Sequence, residues 1–99
     1  MLPDSENNKN PTAMLAQMIA KRCVSLGIQY AVISPGSRNA PLIKAFAEIE
    51  SMNCLSIPDE RSAGYVALGI AQQLNKPVAI ICTSGTAALN FGPAMTEAY

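Results

Sequence analysis

Histidine is absent from this chain, and its three cysteines, Cys23, Cys54 and Cys82, stand far apart. Zinc sites need closely spaced Cys and His ligands, so none can be assembled from this set. Odd in number and widely separated, the cysteines offer no disulfide framework either; reduced, mostly buried thiols are expected. Charge of one sign is also missing, since seven basic residues balance seven acidic ones. Neither set forms a run that could follow a phosphate backbone, so nucleic acid is not an expected partner. Long apolar stretches are lacking as well. The longest is Val78 to Cys82, far short of the roughly 20 residues that cross a bilayer as a helix. Met1 to Asn10 is polar and mixed in charge, without the basic start and apolar core of a leader peptide. A cytoplasmic, soluble chain with no membrane span is expected.

What is present is apolar richness. Of the 99 residues, 49% are hydrophobic and only 14% charged, which suits elements buried on more than one side, with helices covering both faces of a sheet. The length sits at the lower end of one ordinary domain.

Asn10-Pro11 offers an N-cap followed by proline at the first helical position, and Leu15, Met18, Ile19, Arg22, Cys23 and Leu26 continue at helical spacing. Gly27 supplies a left-handed stop. Ile28 to Ser34, bounded by Gly27 and Pro35-Gly36, reads as a buried first strand. Asn39 can cap a second helix with Pro41 in its first turn and Leu42, Ile43, Phe46 and Ile49 on its apolar face. Cys54 to Ile57 makes a second strand. Asp59 caps a third helix, whose small residues Ala63, Gly64, Ala67 and Ala71 allow close packing on the sheet and which Asn75-Lys76-Pro77 ends. Pro77 to Cys82 is the clearest strand, and Thr83-Ser84-Gly85-Thr86 turns the chain into a fourth helix running through Ala87, Ala88, Leu89 and Ala94 past Pro93. This alternation predicts an α/β fold: a partial doubly wound parallel sheet with helices on both faces, joined by right-handed crossovers. Residues 1–10 are expected to be a disordered tail and 11–99 a truncated domain.

In open parallel sheets ligands collect at the carboxyl ends of the strands. After the first strand comes Ser34-Pro35-Gly36-Ser37-Arg38-Asn39, where Gly36 permits a tight turn, Ser37 can donate and Arg38 can grip a carboxylate with two parallel hydrogen bonds. Taken singly, Pro35-Gly36 is equally an ordinary turn and Arg38 a solvated side chain. After the second strand comes Asp59-Glu60-Arg61-Ser62. Acids gather in first turns because they complement the helix's positive end, yet Ala63 and Gly64 could also give Glu60 an apolar pocket in which to hold a proton. After the third strand, the hydroxyls and free N–H groups of Thr83 to Thr86 could hold a polar ligand group, or Thr86 could simply cap.

Together, SPGSRNAPL (Ser34 to Leu42), DERSAGYVALG (Asp59 to Gly69) and TSGTAALN (Thr83 to Asn90) resemble the start of the carboligating synthases of menaquinone biosynthesis, a branch of the thiamine diphosphate-dependent enzymes. Asn39 stands where those synthases usually show serine or threonine, Tyr65 where phenylalanine is common, and Leu89 where alanine is more typical. The resemblance implies the first half of a pyrimidine-binding domain, in which Glu60 bonds N1′ of the cofactor's aminopyrimidine ring and relays a proton, making it catalytic as well as cofactor-binding. Thr83 and Ser84 would lie near the pyrimidine, and Ser37 and Arg38 would contact the isochorismate-derived, dianionic substrate. The implied reaction decarboxylates 2-oxoglutarate and adds the resulting carbanion to isochorismate. In such enzymes the diphosphate and its Mg²⁺ (or manganese) are held by a C-terminal domain, usually of a partner subunit. No Gly-Asp-Gly…Asn metal motif occurs in this chain, so the 99 residues alone are expected to be inactive, and the full-length enzyme to be a homodimer or homotetramer.

Two other readings compete. A dinucleotide-binding domain also carries an acid after its second strand, but it needs Gly-x-Gly-x-x-Gly after the first, where this chain has Gly36 alone. A non-enzymatic α/β module would explain each segment as a turn or cap, though not all three in order. Another 2-oxoacid decarboxylase or synthase using the same cofactor is the nearest alternative.

Overall fold

The computed structural model describes residues 10–36, 39–83 and 89–98. The expected tail lies outside them except for Asn10, whose side-chain oxygen accepts from the Thr12 N–H at 2.8 Å and starts helix α1 (Pro11–Ser25). The helix stops as expected at Gly27, whose φ is 86°. Gly27 N–H donates to the Val24 carbonyl and Ile28 N–H to that of Cys23, both at 3.0 Å. This pair of bonds satisfies carbonyls that every helix end leaves bare.

Strand β1 (Tyr30–Ile33) is followed by α2 (Ala40–Ala47), β2 (Asn53–Ser56), α3 (Glu60–Leu74), β3 (Ala79–Ile81) and α4 (Gly92–Ala98). β1 and β3 are shorter than the apolar runs that announced them, and β2 begins and ends one residue earlier than expected. They form a parallel sheet in the order β2-β1-β3. The chain therefore winds outwards from β1 to β2, then crosses back over β1 to reach β3.

Alternation along β1 sends Ala31 and Ile33 to one face and Val32 to the other. On the first face they join Ile81, Ala16 and Ala20 of α1, and Ala45 and Phe46 of α2. On the second, Val32 meets Ala63 and Ala67 of α3 together with Phe91. Helices thus cover both faces, the α/β architecture expected. β1 is central and buried, while every residue of β2 is exposed.

Four local expectations are corrected. Asn39 occupies the N-cap position of α2 but makes no side-chain cap bond; its amide is engaged elsewhere, as described below. The thiols are not mostly buried, for Cys54 lies exposed on the edge strand β2; none of the three is in a disulfide. Gly64 serves α4 rather than the sheet: a Cβ there would stand 3.1 Å from Ala94 Cβ and 3.2 Å from Phe91 Cδ1. The last helix is not continuous. Ala87 and Ala88 lie outside the described residues, Leu89 is exposed, and Asn90 and Phe91 form a turn before α4 begins at Gly92. Proline lacks an N–H and clashes with the preceding turn in a helix interior, so the restart places Pro93 in a first turn, where it is tolerated.

Candidate functional site at the strand ends

Parallel register aligns the three strand ends, with Ile33 opposite Ser56 on one side and Ile81 on the other. The residues that follow, Ser34, Ile57 and Cys82, therefore leave the sheet along one rim. Because β1 lies between β2 and β3, the winding direction reverses there, and such reversals open a crevice outside the strand ends.

Ser34 ties the rim together. Its N–H donates to the Ile81 carbonyl at 2.9 Å, continuing the pairing towards β3, and the Ile57 N–H donates to the Ile33 carbonyl at 2.8 Å, continuing it towards β2. The Ser34 hydroxyl donates to the Ile57 carbonyl at 2.8 Å. The Ser34 carbonyl in turn accepts from Asn39 Nδ2 at 3.0 Å, while Asn39 Oδ1 accepts from the Gly36 N–H at 3.0 Å. Ser34 is 1% exposed and Asn39 3%. Burial of polar groups on this scale is tolerated only when they are hydrogen-bonded, and no buried side-chain nitrogen or oxygen among the described residues lacks a partner.

The turn after β1 also touches the segment after β3. A Cβ built on Gly36 would overlap the Thr83 Cγ2 methyl and lie 3.4 Å from Thr83 Cβ. Only a residue without a side chain leaves room for Thr83 in its present rotamer. Thr83 itself is half-buried.

On the β2 side, Asp59 starts α3 as expected. Its Oδ2 accepts from the Ser62 N–H at 3.0 Å and the Ser62 hydroxyl at 2.6 Å. The Ser62 hydroxyl, then its N–H, hold the Asp59 carboxyl below the usual aspartate range, against a small opposing desolvation and with help from the charge of Arg61. Glu60 is the first residue of α3 and half-buried. Residues three, four and seven positions on share a helical face, which places Glu60 at the head of the stripe Ala63, Gly64 and Ala67, all buried. Its carboxylate has no hydrogen bond or ion pair with another of the described residues.

The structure thus gathers on one rim Glu60, Thr83, and the residues flanking the Ser37-Arg38 step. Ser37, Arg38 and Ser84 themselves lie outside the described residues. Ser34, and the role Asn39 takes in place of capping, escaped sequence reasoning; a serine at the end of an apolar strand, five residues before an asparagine, was the available signal. A groove of about 140 Å³ runs between α3, β3 and α4 and is lined by Gly64, Ala67, Val78, Ile80, Ala94 and Met95 among others.

The rim thus carries a carboxylate at the helix start after β2 and a threonine after β3, with the end of β1 between them. Residues 13–99 match the family described as thiamine pyrophosphate enzyme, N-terminal TPP binding domain. The chain belongs to that family, and thiamine diphosphate is its cofactor class.

Among curated proteins the chain is similar to enzymes named 2-succinyl-5-enolpyruvyl-6-hydroxy-3-cyclohexene-1-carboxylate synthase. It is 60% identical to the one from Desulfotalea psychrophila over 81 residues, which cover 82% of this chain and 15% of that protein. Identity is 55% over 89 residues with the one from Flavobacterium psychrophilum, covering 90% of this chain and 16% of that protein. With the one from Nostoc it is 52% over 91 residues, 91% of this chain and 16% of the relative. The chain therefore spans about a sixth of the length of these relatives.

Proposed function

We propose that this chain is the opening part of the pyrimidine-binding domain, over residues 11–99, of a thiamine diphosphate-dependent synthase that decarboxylates 2-oxoglutarate and adds the product to isochorismate. The observation that carries the reading is Glu60 itself: a half-buried carboxylate with no partner among the described residues, heading the small-residue stripe of α3 at the rim. The donor set fits an aminopyrimidine, which offers ring nitrogens to a carboxyl group and a flat face to small side chains. When bound, the cofactor's thiazolium supplies the electron sink that decarboxylation and carbon–carbon bond formation require.

Glu60 would hold the proton shared with N1′ of the pyrimidine, from its place at the start of α3. Thr83, packed against Gly36, would form a wall of the site, with Ser84 next in the sequence. Ser37 and Arg38 follow the buried Ser34 anchor and meet the dianionic substrate, for which a guanidinium fork is the matching group. No cluster of three His, Cys, Asp or Glu side chains among the described residues is placed to hold a metal. On the family resemblance, Mg²⁺ and the diphosphate would be held by a C-terminal domain of the full-length protein, supplied by a partner subunit in a homodimer or homotetramer.

No helix among the described residues is long and apolar enough to cross a membrane. By its resemblance the full-length protein would be a cytoplasmic enzyme of small molecules, and the balanced charge offers no basic run for nucleic acid. The test is consumption of isochorismate together with 2-oxoglutarate by the full-length protein. Turnover of pyruvate in place of 2-oxoglutarate would move it to another branch of the same family, and Arg38→Ala should raise KM for isochorismate or lower kcat.

A further inference from the structure

Ser34 and Asn39 are the two buried polar side chains among the described residues, and both stand where an apolar residue would cost nothing in desolvation. The ladder between β1 and β2 runs from Tyr30 opposite Asn53 to Ile33 opposite Ser56. Beyond it the two chains diverge, one into the turn of Gly36 and the other into the Asp59 cap. The Ser34 hydroxyl reaches across that divergence to the Ile57 carbonyl. Ile57 is three residues before Glu60, and the intervening Pro58 has a restricted φ, so the position of Ile57 is transmitted through little slack to the start of α3. On its other sides Ser34 is fixed by its N–H on Ile81 and by Asn39 on its carbonyl.

We infer that Ser34 is a positioning residue for Glu60: with Asn39 behind it, its hydroxyl fastens the segment that launches α3 to the ends of β1 and β3. This rests on the reading of Glu60 given above. Ser34 touches neither substrate nor cofactor; it acts through Ile57. A misplacement of about 1 Å at a catalytic group can cost on the order of a hundredfold in rate, so loss of one such fastening should be visible without loss of the fold.

Three variants of the full-length protein test it: Ser34→Ala, Glu60→Gln, and Phe46→Leu, the last lowering stability from the opposite face of the sheet. In the cofactor-free protein, Ser34→Ala should speed amide hydrogen exchange of residues 57–62 roughly tenfold while α1 and α2 keep their protection. With thiamine diphosphate bound, it should slow C2 proton exchange about tenfold, and it should add nothing further in the Glu60→Gln background. Unchanged protection at 57–62, wild-type C2 exchange, or the same pattern from Phe46→Leu would overturn the role of Ser34. If Glu60→Gln abolishes C2 exchange and Ser34→Ala leaves it alone, the Ser34 inference fails and the Glu60 reading stands. If Glu60→Gln leaves it unaltered, both fall. Should Ser34→Ala give too little folded protein, Ser34→Cys fills the same space with a weaker donor and must show the same two changes.

Discussion

The segments after β1 and β2 leave the same rim of the sheet and are built in opposite ways. The turn after β1 is held by buried hydrogen bonds: Ser34 and Asn39 are almost wholly withdrawn from water, and their side chains bond the Ile57 carbonyl, the Ser34 carbonyl and the Gly36 N–H. Residues 59–62, beyond the Ile57 anchor, are held by an exposed cap, Asp59 on Ser62, with Glu60 half-open beside it. The first arrangement is costly to disturb because an orphaned buried group forfeits its hydration. The second is cheap to disturb, because water replaces whatever is lost. The proposed site would use both, a fixed wall and an accessible carboxyl.

Substitutions should separate the two segments. The largest effect is expected from Glu60→Gln, which keeps size and removes the exchangeable carboxyl. C2 proton exchange on bound thiamine diphosphate should fall by about 10²–10⁴, the range of general acid–base contributions, with the unfolding midpoint unmoved. Exchange at the wild-type rate would remove Glu60 from the chemistry.

Next is Asn39→Ala, which leaves the Ser34 carbonyl without its donor in a buried place. A loss of about 1–3 kcal/mol should appear in urea unfolding; a midpoint equal to wild type would mean that the turn does not depend on this amide. Gly36→Ala should cost about 1 kcal/mol by crowding Thr83. Thr83→Ser, which deletes the Cγ2 methyl, should recover most of it in a double-mutant cycle. Additive losses would show that the two segments are not in contact.

The smallest effect is on the exposed side and depends on pH. The folded state holds the Asp59 carboxyl below its ordinary value, so it binds fewer protons folded than unfolded. Its stabilisation is therefore complete above the unfolded value of about 3.9 and disappears as pH falls through the folded one. Asp59→Asn should destabilise slightly at neutral pH and match wild type in strong acid. A difference that persists in acid would point to geometry rather than charge.

Much of this was legible in the residues. Asn10 and Asp59 cap as their types and positions suggest, Gly27 takes the left-handed conformation, and Asn75 does the same at the end of α3, with φ 54° and ψ 40°. These depend on neighbours a few residues apart, where local sterics and side-chain reach decide. Asn39 shows where that reasoning stops. By type it is a good cap, yet it turns back to Ser34 and Gly36, because a buried carbonyl and amide there have greater need of a partner than the start of α2.

The sequence by itself determined the order of helices and strands, the caps and stops at Asn10, Gly27, Asp59 and Asn75, and Glu60 as a carboxyl following a strand. Tertiary structure alone decided that β1 lies between β2 and β3, that Ser34 bonds to Ile57 and Ile81, and that Gly36 meets Thr83. Those contacts join residues 23 to 47 positions apart. No local preference encodes them; they arise when burying both faces of the sheet brings three strand ends onto one rim, and the polar groups caught there must find one another.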